Sequence, residues 1–139
     1  MGPGRVYKPT KELTDMSKGK RLTSTVTSDS TVHLIIEEFE VPTPGPDEVL
    51  IAVEASPINP SDLGLLLAGA HPSTASRSEN GLTLSLPNGA IDAVMARIDQ
   101  AMPVGNEGAG VVIDTGSEEQ AQALQGPVSY THLTLPTKA

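Results

Sequence analysis

Three short stretches hold the side chains whose types and spacing could do chemistry: Ile58-Asn59-Pro60-Ser61-Asp62, Gly69-Ala70-His71-Pro72 and Gly105-Asn106-Glu107-Gly108-Ala109-Gly110. Carboxamides, carboxylates and an imidazole can donate or accept hydrogen bonds and move protons. Thiolate chemistry is closed to this chain: it has no Cys, so disulfides and Cys-ligated zinc are excluded. The adjacent acids Glu37 and Glu38 do not form an acid–base dyad, because neighbours on a strand point to opposite faces. The Gly105–Gly110 run is not a dinucleotide fingerprint either. That motif follows a strand and opens a helix, whereas this one precedes an apolar strand pattern.

Each chemical residue also has a local structural duty. Asn59 can cap a helix whose first position is Pro60 and whose first turn carries Asp62, with Leu63, Leu65, Leu66 and Leu67 following and Gly69 as the stop. His71 reads as a loop residue before a proline, and Asn106 and Glu107 as part of a glycine turn. The remaining elements are mostly strands. Residues 21–27 and 32–41 alternate apolar and polar positions around the turn-forming Ser28-Asp29-Ser30, which predicts an antiparallel hairpin with His33 in mid-strand. Pro42–Asp47 breaks the chain, and 48–55 resumes as a strand apolar enough to be largely buried. Residues 73–81 have loop composition, and 82–86 alternate as a strand. Ile91, Val94, Met95, Ile98 and Met102 fall at helical spacing, predicting an amphipathic helix over 90–101 whose Met and Ile stripe is core. Residues 108–114 form a glycine-led buried strand, turned at Gly116-Ser117. No internal repeat is present. The pattern predicts a mainly β fold with short helices, in the form of a small barrel or sandwich.

At 139 residues the chain suffices for one domain with a modest core, and with 2% aromatic residues that core must be aliphatic. The net charge of −8 is uneven: residues 1–21 hold six of the nine Lys and Arg but two of the seventeen acids. No basic nucleic-acid footprint exists beyond them. No apolar run reaches the roughly 18 residues of a membrane span, and no secretory segment is evident, so a cytoplasmic location without membrane partners is expected. Residues 1–20, rich in Gly, Pro and Lys, are expected to be a disordered extension. From Pro127 the chain runs Val-Ser-Tyr-Thr-His-Leu-Thr-Leu-Pro-Thr-Lys-Ala, which reads as a translated sequencing-library adapter. On that reading residues 127–139 are not native, Tyr130 and His132 carry no functional weight, and the chain is an N-terminal fragment cut near Gly126.

Pro44-Gly45-Pro46-Asp47-Glu48-Val49-Leu50-Ile51, then Ile58–Asp62, then Gly105–Val112, in that order, resemble the N-terminal, GroES-like domain of the medium-chain dehydrogenase/reductase superfamily. The resemblance covers residues 21–126. Within the superfamily these segments are most similar to the zinc-free quinone oxidoreductases and enoyl thioester reductases. It implies a partly open GroES-like β-barrel forming one wall of a substrate cleft, with NADPH held by a separate Rossmann domain, a small-molecule substrate and a homodimeric parent. Where zinc-dependent relatives carry a ligating Cys and His, this chain carries Ser61 and Asn106, so the resemblance implies hydride transfer without zinc. Where the enoyl reductases carry a proton-donating Tyr in Gly-x-Tyr-Pro, this chain offers His71, offset by about one residue. The resemblance thus assigns catalysis to His71 and Asn59, and the substrate cleft to Asp62, Asn106 and Glu107.

Two classes of function follow. One is the substrate-side domain of a zinc-independent NAD(P)H-dependent reductase of quinones, enones or enoyl thioesters, inactive as an isolated fragment. The other is a non-catalytic GroES-like binding or scaffold module. The source DNA separates them. A reading frame continuing past Gly126 into a strand, glycine turn and helix is expected for the first, and a genuine stop codon there would exclude it.

Overall fold

In the computed structural model, which describes residues 18–131, the hairpin predicted around Ser28-Asp29-Ser30 forms from β1 (Lys18–Val26) and β2 (Thr31–Glu40). Ser30, at a φ of 63°, donates its N–H to Thr27 O at 3.0 Å to close the turn. Asp29 supports it by accepting from Thr27 Oγ1 at 2.6 Å, and this bond, the largest influence on its carboxyl, contributes to holding that group below the usual carboxylate range. β1 takes in residues 18–20, which composition assigned to the extension; the rest of that extension lies outside the described residues.

Further along come β3 (Val49–Ala55), α1 (Pro60–Leu67), a 3₁₀ turn at Pro72–Thr74, β4 (Ser76–Ser78) and β5 (Gly81–Ser85). A 3₁₀ helix (Ala90–Arg97), β6 (Met102–Pro103), β7 (Glu107–Thr115), α2 (Glu119–Gln122) and β8 (Gly126–Thr131) complete the order. Among the described residues 44% are strand and 21% helix, so the protein is mainly β with short helices. The strands make two sheets, one in the order β4-β5-β2-β1-β6 and one in the order β3-β7-β8, and neither closes on itself. The described residues divide into two units, one holding residues 19–39 and 58–105, the other residue 18 with 40–57 and 106–131. No helix among the described residues is long and apolar enough to cross a membrane.

The core of the five-stranded unit is aliphatic, as the scarcity of aromatics requires: Val26, Val32, Leu34, Ala68, Ala70, Leu84 and Leu86. The lone Phe of the chain, Phe39, works at the sheet instead. Its ring covers Gly19, where a Cβ would collide with it, and lies 5.5 Å from the Arg21 guanidinium, which also pairs with Glu37 at 2.6 Å. Glu37 and Glu38 fall on opposite faces of β2, as their spacing requires.

The segment predicted as an α-helix over 90–101 is a 3₁₀ helix ending at Arg97. The difference changes which side chains share a face, since residues i and i+3 eclipse in a 3₁₀ helix. Ile91 and Val94 therefore pack on the core while Met95, an α-helical neighbour of Ile91, stands 62% exposed. Arg97 takes the next place on the inward face. Its Nη1 donates to Leu65 O at 2.9 Å and its Nη2 to Ser24 Oγ at 3.1 Å, and Ser24, fully buried, donates onward to Leu66 O at 2.8 Å. The end of the 3₁₀ helix is fixed by Asp99, at φ 59°, whose N–H donates to Val26 O at 2.8 Å.

In the other unit β3 is less buried than its composition predicts. Only Ala52 is buried, and Val53 is 55% exposed. The reason is that β3 is an edge strand, paired on one side alone, with register shifts at Leu50/Ile51 and Val53/Ala55. β7 is the buried centre of this sheet, with Gly108, Gly110, Val111 and Val112 inside. After it, Gly116 is required by close approach, because a Cβ there would run into the backbone oxygens of Gly45 and Pro46. Residues 127–131, part of the stretch that reads as adapter-derived, continue β8 along β7; residues 132–139 lie outside the described residues.

Ser24→Ala and Arg97→Met are each expected to lower unfolding free energy by about 1–3 kcal/mol, since each strands a buried polar partner. The double variant should lose less than the sum of the two, and urea denaturation of the set measures this. Strictly additive losses would show that the two side chains do not act as one unit.

Candidate functional site

The helix start read from Ile58–Asp62 is built as its residues require. Asn59 has extended backbone angles at the N-cap, Pro60 occupies the first helical position, and Asp62 Oδ2 accepts from the Asn59 backbone N–H at 2.8 Å within a capping box. The carboxylate thereby lies in the first turn, where the exposed N–H groups favour negative charge. Asn59 and Asp62 are both half-buried. At the other end Ala68 and Gly69 take positive φ values of 53° and 92°, and the Ala68 N–H returns to Gly64 O at 3.1 Å. α1 has no basic residue of its own in its last turn. Arg97 supplies the cation there from the 3₁₀ helix, and burial pulls its guanidinium below the ordinary arginine value.

Gly69 and the buried Ala70 lead directly to His71, which is exposed. The loop that carries it is short and firmly tied. His71 O accepts from Thr74 N at 3.0 Å and from Thr74 Oγ1 at 2.8 Å, and Thr74 Oγ1 in turn accepts from Ser85 N at 3.1 Å. Ser76 and Thr83 add a hydroxyl pair at 2.8 Å between β4 and β5. The imidazole contacts Ser73 twice: Nδ1 accepts from the Ser73 backbone N–H at 3.2 Å and lies 2.7 Å from Ser73 Oγ.

The third segment opens β7. Asn106 is exposed and Glu107 half-buried; the Glu107 carbonyl accepts from Ser56 Oγ at 2.8 Å, and Glu107 pairs with Thr131 in the ladder. Gly110 is needed because a Cβ would strike Ala52 O on the neighbouring strand. The glycines of this run therefore serve strand pairing.

Asn59, Asp62 and His71 belong to the five-stranded unit, while Asn106 and Glu107 belong to the three-stranded one. Each of the two motif segments begins close to a point where the chain passes from one unit to the other, after Pro57 and after Gly105. Within the first unit, α1 and the His71 loop follow one another directly, so Asn59 and His71 are positioned by a single continuous piece of chain whose end is anchored at Ser24. Among the described residues no three His, Cys, Asp or Glu side chains gather as a metal-holding group.

Two residues with evident roles here were not among the sequence candidates. Ser73 had a signal, a hydroxyl two residues after a histidine, where short side chains bond back to the local backbone. Arg97 had one only in retrospect, its three-residue spacing from Ile91 and Val94. No family model and no curated protein matches this chain.

Asp62→Ala is expected to destabilise the five-stranded unit by about 0.5–2 kcal/mol through loss of the cap, while Asp62→Asn should recover part of it. Thermal denaturation of the pair decides this; an unchanged midpoint for Asp62→Ala would show that the carboxylate has no capping role.

Proposed function

We propose that this chain is the substrate-side, GroES-like domain of a zinc-independent, NAD(P)H-dependent oxidoreductase that reduces quinones, enones or enoyl thioesters. The observation that carries the reading is the order of the three family-like segments, each placed at the start of an element it helps to build. Pro44–Glu48 leads into β3, Asn59–Asp62 caps α1, and Gly105–Gly110 opens β7, which pairs antiparallel with β3. A mainly β chain of antiparallel strands accords with a barrel-like substrate domain.

The residues described do not fit the nicotinamide cofactor itself. The pairings of β1 with β6, β2 with β5, β3 with β7, β4 with β5 and β7 with β8 are all antiparallel, and a dinucleotide site needs a parallel strand followed by a glycine turn and a helix. NADPH on this reading is held by a domain other than this one, and the chain's own contribution is to bind and orient the substrate. His71, exposed on a tied loop, is the group that offers a hydrogen bond to substrate oxygen, and Asn59 and Asp62 hold the helix that leads to it; Asn106 and Glu107 are the second unit's residues for substrate binding.

One observation favours the other class. Asp62 is committed to the capping box, and Asn59 occupies its N-cap, so both have a structural role without chemistry. A non-catalytic GroES-like module would need them for that reason alone.

Activity separates the two. Joined to a domain that holds NADPH, the chain is expected to support oxidation of NADPH when a quinone or enone is supplied, and to contain no zinc by elemental analysis. His71→Ala in that protein should lower turnover at least about tenfold, below the usual contribution of a general acid. Stoichiometric zinc would overturn the metal-free reading, and an undiminished rate would return His71 to the loop.

A further inference from the structure

The two contacts of the His71 ring determine which of its nitrogens carries the proton. A backbone N–H can only donate, so Nδ1, which receives the Ser73 N–H at 3.2 Å, must present its lone pair. The neutral ring therefore carries its proton on Nε2. The Ser73 hydroxyl, 2.7 Å from the same nitrogen, must then be a donor as well. Protonating Nδ1 would set an N–H against an N–H and break this cap of the Pro72–Thr74 turn. Nε2 has no partner among the described residues, and the ring is exposed.

We infer that Ser73, through its backbone N–H, is a positioning residue that fixes His71 as its Nε2–H tautomer, so that the outward group is a neutral hydrogen-bond donor suited to a carbonyl-type oxygen, and neither a base nor an Nδ1 metal ligand. A neutral imidazole can polarise a carbonyl through its N–H, and the hydrogen bond made by one ring nitrogen sets what the other can do. The acceptor named here, the oxygen shared by quinones, enones and enoyl thioesters, rests on the reductase reading; the tautomer does not. The rigidity behind it comes from Thr74, whose hydroxyl joins the His71 carbonyl to the Ser85 N–H of β5 and keeps the turn from opening.

The test uses the 139-residue chain labelled with ¹⁵N in its histidine rings. Spectra are taken well above the ordinary histidine value of about 6.5, with His71 assigned by the signal lost in His71→Gln. Nδ1 is expected to read as unprotonated and Nε2 as protonated. Ser73→Ala keeps the Ser73 backbone N–H and removes only a hydroxyl able to donate to or accept from Nδ1, so Nε2 should remain the protonated nitrogen in it, as in Ser73→Thr. The Ser85 amide signal should stay in place throughout, showing that the turn that presents the Ser73 N–H is intact. A protonated Nδ1 in the unaltered chain, or a switch to it in Ser73→Ala, overturns the inference. Because the measurement reads a ring nitrogen and not turnover, its failure leaves the reductase reading standing, and an inactive parent leaves the tautomer standing.

Discussion

The five-stranded unit depends on how the carboxyl end of α1 is satisfied. An eight-residue helix is too short to persist on its own propensity and must be held by what it packs against. Its last carbonyls would be costly to bury unpaired. Here Leu65 O and Leu66 O are taken by Arg97 and Ser24, which also bond to each other, so β1, α1 and the 3₁₀ helix meet at one polar junction within an aliphatic core. The Arg97 Nε is buried there without a partner, a cost carried by the favourable placement of a cation at a helix C-terminus and by packing of Ile91 and Val94 on the same face. The same junction sets where the chain leaves α1, and hence where Ala70 is buried and where His71 emerges.

The strands and the start of α1 were legible because their causes are local. Alternation gives β2 its faces, Ser28-Asp29-Ser30 gives the turn, and Asn59, Pro60 and Asp62 specify a helix N-terminus within four residues. The errors have non-local causes. β3 looks buried by composition, but its exposure is decided by having one neighbour instead of two. The segment from Ala90 has an α-helical apolar spacing, yet Gly89 at its entry and the bond from Asp99 to Val26 at its exit hold it in the tighter 3₁₀ form. Ser76–Ser78, loop-like in composition, pairs with β5 because a strand is recruited by its backbone when an edge lies next to it.

The candidate site was legible in its residues and much less so in their states. Asn59, Asp62, His71, Asn106 and Glu107 could be picked out by type and neighbourhood. No sequence pattern distinguishes one ring nitrogen of His71 from the other; that follows from the position of a single serine N–H. Likewise the assignment of Asn59 and His71 to one unit, and of Asn106 and Glu107 to the other, depends on where the chain crosses and not on spacing along it.

The pairing of β8 with β7 has a consequence of a different kind. It runs through six register positions, from Glu107 opposite Thr131 to Val112 opposite Gly126, and it includes Pro127, which has no N–H to give. A ladder joins main chain to main chain, and an outermost strand tolerates a missing donor on its solvent side. The margin of β7 is thus matched through main chain, a requirement that depends on the extended shape of the pairing segment more than on its side chains. Grafting a different strand after Gly126, as in a fusion or a split-protein reporter, should preserve the sheet so long as the incoming segment can lie flat.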